Sequence, residues 1–333
     1  MSESNFRGLR IRNDSEGYRS ALESMSWDDL SPGEVDIRVA YSSVNYKDAL
    51  AGTGQGRICR SFPMNGGIDV AGHVTASRDQ RFREGDAVIV TGSGLSETRD
   101  GGYSEFARLQ ADWVVPLPAG LSLREAMAIG TAGFTAALCL WRMLANGQHP
   151  DAGPLVVTGA TGGVGMLALD ILSGYGFEMH AITGKPQHFD FLKGIGARQC
   201  VSREGLYWGQ RPLESTSWAG AIDNVGGDML SGLTRVIQPW GSIASCGLAG
   251  GTELHTTVMP FIIRGVSLLG INSAQTPYPI RAELWQHLGS DWKPKHLQQI
   301  VTNEVGLDEL SSVFEQILSG QSFGRTLVKI GGD

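Results

Sequence analysis

Between Pro154 and Lys185 the chain reads PLVVTGATGGVGMLALDILSGYGFEMHAITGK: an apolar β-type run, a glycine turn, apolar helical sequence and a second β-type run. Leu155, Val156 and Val157 form the first run. Ala160-Thr161-Gly162-Gly163-Val164-Gly165 then gives the spacing A-x-G-x-x-G just before helical sequence opens at Met166. The order strand, turn, helix, strand admits few folds, and it makes the alternative of an ordinary glycine-rich loop the weaker one. Small residues let the chain turn tightly, so backbone N–H groups and the positive end of the helix dipole can face a pyrophosphate. Thr161, Gly162, Gly163 and Val164 are therefore expected to bind a dinucleotide.

The second run decides which dinucleotide. An NAD site usually ends that strand in a carboxylate, about 20 residues after the glycines. Here the strand, Glu178 to Gly184, ends Thr183-Gly184-Lys185, with Glu178 at its start and Asp190 inside the next helix. A hydroxyl, a bare backbone and a cation suit a 2′-phosphate, so NADPH is the expected cofactor. A solvated surface lysine is the other reading of Lys185.

A chain of 333 residues with 41% apolar and 18% charged residues suits a globular protein of two domains. The polar start, MSESNFRGLRIRNDSEG, has no apolar segment of signal type, and no run of about 18 apolar residues is evident, so a cytoplasmic protein is expected. The net charge of −7 is spread without long blocks, which disfavours nucleic acid or membrane as the main partner and leaves a small-molecule substrate. Cys59, Cys139, Cys200 and Cys246 stand far apart without a C-x-x-C pair, so four reduced thiols are expected and no metal site.

From Val35 to about Pro118 short β-type runs (EVDIRVAYSSV, GIDVAGHVTAS, DAVIVTG, GYSEFARLQ, WVVPLP) are broken by Gly, Asp and Pro, which predicts a mostly antiparallel N-terminal domain. Ser122 and Glu125 form an S-x-x-E capping box ahead of alanine-rich helical sequence. After the first two strands of the nucleotide-binding unit, QCVSRE, AGAIDNVGG, SIASCGLAG and VSLLGINSA supply four more, completing a doubly wound sheet of six. The last segment, an amphipathic helix and the strand around GRTLVKI, is expected to return to the first domain. The expected divisions are 1–124, 125–296 and 297–333.

The motifs SSVNYKDAL (42–50), FPMNGGIDVAG (62–72), AIGTAGFTAAL (128–138), VTGATGGVG (157–165), WAGAIDNVGG (218–227), CGLAGG (246–251), TTVMPFIIRGVSLLGINS (256–273) and GRTLVKI (324–330) together resemble a zinc-free medium-chain dehydrogenase/reductase. The resemblance is to the acryloyl-CoA reductase (YhdH/AcuI-like) branch, often labelled quinone oxidoreductase. It implies an α/β protein: a GroES-like, mostly β catalytic domain, a doubly wound Rossmann domain binding NADPH, an active site in the cleft between them, and a homodimer. Zinc-dependent relatives carry G-H-E-x-x-G where this chain has Gly67-Ile68-Asp69-Val70-Ala71-Gly72, so the histidine ligand is replaced by Ile68.

The same resemblance points to site residues. Asn45, Tyr46 and Asp48 form a polar segment expected beside the nicotinamide, the alternative being the charged start of a helix. Thr135 matches a position near the cofactor ring, or is a helix threonine bonded to its own backbone. Asn224, Val225, Gly247, Leu248 and Ser273 follow predicted strands at their carboxyl ends, where such sheets bind ligands. Arg325 matches a basic residue reaching the cofactor, or is a surface arginine. Related enoyl reductases have a tyrosine proton donor in the loop that here reads AGTGQGRICRSFP and has none. Tyr46, a bound water or Tyr103 are the remaining donors. Arg57 and Arg60 in that loop either meet coenzyme A phosphates or are solvated.

The expected activity is NADPH-dependent reduction of the C=C bond of a short α,β-unsaturated acyl thioester, acryloyl-CoA foremost, without a metal. Reduction of a quinone or other enone is the main alternative. A protein that binds NADPH as a sensor without turnover is the third.

Overall fold

A computed structural model describes residues 5–331. Its strands and helices run β1 (Phe6–Asp14), β2 (Gly17–Met25), β3 (Val35–Val44), α1 (Tyr46–Thr53), β4 (Met64–Asn65), β5 (Asp69–Ser77), β6 (Ala87–Thr91), β7 (Phe106–Leu109), β8 (Val115–Pro116) and α2 (Leu123–Ala145). There follow β9 (Leu155–Thr158), α3 (Gly163–Tyr175), β10 (Met179–Thr183), α4 (Phe189–Gly194), β11 (Ala197–Ser202), β12 (Trp218–Asp223), α5 (Gly227–Val236), β13 (Ile237–Ser245), α6 (Met259–Arg264) and β14 (Ser267–Gly270). The chain ends through α7 (Tyr278–Leu288), α8 (Leu297–Ile300), β15 (Val301–Val305), α9 (Leu310–Leu318) and β16 (Arg325–Lys329).

Two compact units result. The first holds the chain up to Thr131, Ser273–Gly289 and the chain from Leu297; the second holds Ala132–Asn272 and Ser290–His296. Two boundaries differ from expectation. The first unit ends at Thr131 rather than 124, next to Gly130, whose φ of 51° and ψ of −159° break α2. Ser273–Gly289 groups with the first unit because buried Arg281 donates to Thr91 O (2.7 Å) and Ser93 N donates to Ala274 O (2.9 Å).

The first unit is built on a seven-stranded sheet, β15-β16-β3-β5-β6-β8 with β7 also pairing β3, antiparallel except for β15 with β16. Alternation explains the start of β3: Val35, Ile37 and Val39 are buried while Arg38 is exposed, so one face meets Val70, Val88 and Leu109 in the core. Antiparallel pairing of β16 with β3 sets Thr326 opposite Val44, which brings Arg325 next to Asn45.

In the second unit six parallel strands take the order β11-β10-β9-β12-β13-β14, the doubly wound arrangement. The capping box forms as expected, with Glu125 N donating to Ser122 Oγ (3.1 Å) and Ser122 N to Glu125 Oε2 (2.9 Å). One correction concerns α2, which is long and apolar enough to cross a membrane by length and composition. Of that window 78% is buried, so it is a core helix.

Candidate active site

The glycine turn joins β9 to α3. Gly162 caps α3 and is exposed, while Gly163 and Val164 form its half-buried first turn. Helix starts leave N–H groups without intrahelical acceptors; Gly162 N donates to Gly159 O (3.0 Å), which leaves those of Gly163 and Val164 to face a pyrophosphate. At Gly165 a Cβ would lie 2.5 Å from Gly159 O and 2.7 Å from Ala160 Cα, so only glycine lets the helix pack this close to the strand. The turn therefore fits a dinucleotide, with a vacant approach at Gly162, where a Cβ would meet nothing nearer than Gly159 O at 3.4 Å.

At the end of β10, Thr161 and Thr183 hydroxyls pair at 3.1 Å, and Lys185 N donates to Thr183 Oγ1 (3.1 Å). Both threonines are buried. Partial burial lowers the Lys185 ammonium below its ordinary value; burial, then the Lys185 charge, lowers His188. Arg203 is a residue that sequence reasoning missed. Its backbone N donates to Thr183 O (2.8 Å), and its guanidinium borders Gly184 so closely that a Cβ there would meet Nη2 at 2.9 Å. The parallel pairing of β10 with β11 puts it there, and its only signal was a cation just past the next strand.

Asn224, Val225, Gly247 and Leu248 lie where expected, past the carboxyl ends of β12 and β13. Asn224 Nδ2 donates to Thr158 O (2.8 Å), and buried Asp223 accepts from Thr158 Oγ1 (2.7 Å) and Gly226 N (2.8 Å), which fixes this rim. Burial raises the Asp223 carboxyl above its ordinary value. Leu248 is largely exposed. Thr135 is buried on α2 in the second unit. Ser273 also follows its strand, three residues past the end of β14 at Gly270; it groups with the first unit, its carbonyl accepting from Arg281 Nη2 (2.9 Å).

The first unit contains a buried polar hub. Asp69 accepts from Ser43 Oγ (2.5 Å), Asn45 Nδ2 (2.8 Å), Thr131 N (3.0 Å) and Thr131 Oγ1 (2.5 Å). Asp48 accepts from Asn45 N (2.9 Å), Asn45 Nδ2 (3.1 Å) and Ile68 N (2.9 Å), so it closes a capping box on α1. Burial, reinforced by the Asp69 charge, pushes the Asp48 carboxyl up to about 7. Arg325, expected at the cofactor, is 2% exposed. Its Nε donates to Ala128 O, Nη1 to Val44 O and Asn45 Oδ1, and Nη2 to Ser43 Oγ and Met127 O, at 2.7 to 3.4 Å. That accounts for all five guanidinium N–H groups.

Asn45 is equally committed: both amide hydrogens go to carboxylates and its oxygen to Arg325. Tyr103, the third proton-donor choice, is fully buried and its hydroxyl donates to Ser43 O (3.1 Å). Tyr46, at the first turn of α1, is 44% exposed and is the member of the polar segment whose side chain can meet a ligand. Among the described residues no group of three or more His, Cys, Asp or Glu side chains is arranged to hold a metal ion. All four cysteines are free.

Comparison with known proteins follows this geometry. Residues 31–119 match the family model of the alcohol dehydrogenase GroES-like domain, and 163–288 match that of the zinc-binding dehydrogenases. YhfP of Bacillus subtilis, provisionally named a quinone oxidoreductase, is 47% identical over 326 residues, 98% of this chain and 99% of its own. Its crystal structure with NAD bound superposes at a TM-score of 0.94. Acrylyl-CoA reductase AcuI of Ruegeria pomeroyi is 43% identical over 98% of this chain and 99% of its own. The yhdH oxidoreductase of Salmonella enterica, solved in complex with NADP, is 44% identical over 97% of this chain and 99% of its own, at a TM-score of 0.94. With the six-stranded parallel sheet, the GroES-like unit and these full-length relatives, the chain belongs to the medium-chain dehydrogenase/reductase family, close to the acrylyl-CoA reductases and YhfP.

Proposed function

We propose that this protein uses NADPH to reduce the C=C bond of a short α,β-unsaturated acyl thioester, acryloyl-CoA to propionyl-CoA foremost, without a metal. The observation that carries the cofactor is the end of β10, where Lys185 and Arg203 stand and no carboxylate follows Thr183. NADPH, when bound, supplies the hydride. Gly163 and Val164 would hold its pyrophosphate, and Lys185 with Arg203 its 2′-phosphate. Tyr46, 44% exposed at the start of α1, is the proton donor of this reading and would supply the proton that the α-carbon takes up after the β-carbon receives hydride. Arg325 and Asp69 act as positioning residues, locking Asn45 and the start of α1. The name of the AcuI relative supports the thioester; that of YhfP supports a quinone as the second reading.

The test is steady-state NADPH oxidation with acryloyl-CoA and with a soluble quinone. Turnover of acryloyl-CoA with the higher kcat/KM is expected. Turnover of the quinone alone would replace this reading by the second.

The reading includes a homodimer. β14 is an edge strand, and around it Trp240 (81% exposed), Val258, Ile262 (74% exposed), Ile263 and Leu268 leave apolar surface open. The charged residue within α6, Arg264, is spent on the carbonyls of Arg235, Ile237 and Glu214. An uncharged edge can pair antiparallel with a second copy of itself across a two-fold axis, and five such side chains supply much of the ~800 Å² per partner that a stable interface buries.

A further inference from the structure

In the first unit, Glu97 gathers cations from two other segments. Lys47, in the first turn of α1, places Nζ 2.6 Å from Glu97 Oε2, and Arg60 places Nε 3.7 Å from Glu97 Oε1. The two loops are tied further by Arg60 N donating to Glu97 O (2.7 Å) and Cys59 Sγ to Ser96 O (3.4 Å). Lys47 and Arg60 thus share one carboxylate. Arg57, three residues before Arg60, is exposed and makes no hydrogen bond or ion pair among the described residues. Arg99 donates Nη1 to the carbonyl of its neighbour Thr98, and its Nε is buried with no acceptor. Across α1 and these two loops Lys47, Arg57, Arg60 and Arg99 outnumber Asp48, Glu97 and Asp100, the last of which is paired with Arg10, on a chain whose net charge is −7.

We infer that this cationic rim is where the nucleotide phosphates of a coenzyme A thioester dock, an inference that rests on the acyl-thioester reading. Coenzyme A carries a pyrophosphate and a ribose phosphate, so it can replace the missing counter-charge with charge-assisted hydrogen bonds from arginine forks. A quinone carries none, and the rim would do nothing for it. The rim begins on α1, the helix that carries the exposed Tyr46, and the pantetheine arm would separate the acyl end from the phosphates. Glu97 holds Lys47 and Arg60 in position before substrate arrives and competes with the phosphates once it does.

The experiment compares acryloyl-CoA with acryloyl-pantetheine, the same thioester without the nucleotide, at saturating NADPH. In Arg57→Glu/Arg60→Glu the KM for acryloyl-CoA is expected to rise at least ~10-fold, with the loss confined to the coenzyme A ester. Glu97→Gln is expected to lower that KM about twofold, and added salt to raise it in the wild type more than in the double variant. Both arginines are exposed, so folding is retained, which the thermal midpoint checks. An unchanged KM for acryloyl-CoA in a double variant that still turns it over would overturn the docking site and leave the thioester reading intact. A wild-type enzyme that reduces a quinone and neither thioester would remove both.

Discussion

Hydrogen bonds already made inside the protein decide which side chains remain to meet a ligand. Arg325 and Asn45 have every polar hydrogen assigned; past the end of β10, Lys185 is partly buried and Arg203 is exposed. On the proposed reading the cofactor preference is a matter of these two cations. Lys185→Ala and Arg203→Ala are each expected to raise the KM for NADPH about 10-fold, the scale of one charge-assisted hydrogen bond, while the KM for NADH barely moves. Equal shifts for both cofactors would mean that the cations steer dinucleotides generally and read no 2′-phosphate. Lys185 was legible because it ends the diagnostic strand. Arg203 was not, because it reaches Gly184 from the neighbouring strand and no local spacing encodes that approach.

At the scale of elements, α1 depends on a carboxylate that is costly to ionise. Asp48 caps the helix and holds Ile68 N, yet burial and Asp69 raise it to about 7. A carboxyl whose folded value is raised binds its proton more tightly in the folded state. The stability this adds is fully present below the ordinary carboxylate range and is lost as pH climbs through about 7. Unfolding free energy should therefore fall between pH 5 and pH 8 by of order 2 kcal/mol from this group, and Asp48→Asn should flatten that slope. Urea unfolding of both proteins at the two pH values measures it; parallel slopes would show that Asp48 stays ionised. The alternative reading, the charged start of a helix, describes the hydrogen bonds of Asp48 well. The bonds from Asp69 to Thr131 were not visible in the sequence, because they join residues 62 apart and depend on the backbone break at Gly130. The six parallel strands and the Ser122–Glu125 box were readable since each is written in a few adjacent residues.

For the whole molecule, the exposed edge of the second unit makes assembly testable apart from catalysis. Trp240→Asp combined with Ile262→Asp is expected to convert a dimer into monomers in sedimentation equilibrium, with the fold retained by circular dichroism. A wild type that sediments as a monomer at micromolar concentration would set the dimer aside. The edge did not stand out beforehand, and of the rim only Arg57 and Arg60 did, because surface patches collect residues that are distant in sequence.

The hub has one more consequence, in the order of biosynthesis. Ser43 and Asn45 are made early, yet the guanidinium that completes their bonding comes from Arg325, 280 and more residues later. A ribosome delivers residues in sequence, so β3 emerges long before its neighbour β16 exists. The glycine turn and all six strands of the second unit can close on one another while the first unit still waits for its last strand. The nucleotide-binding half is thereby free to mature first, inside a nascent chain whose other half still lacks β15 and β16.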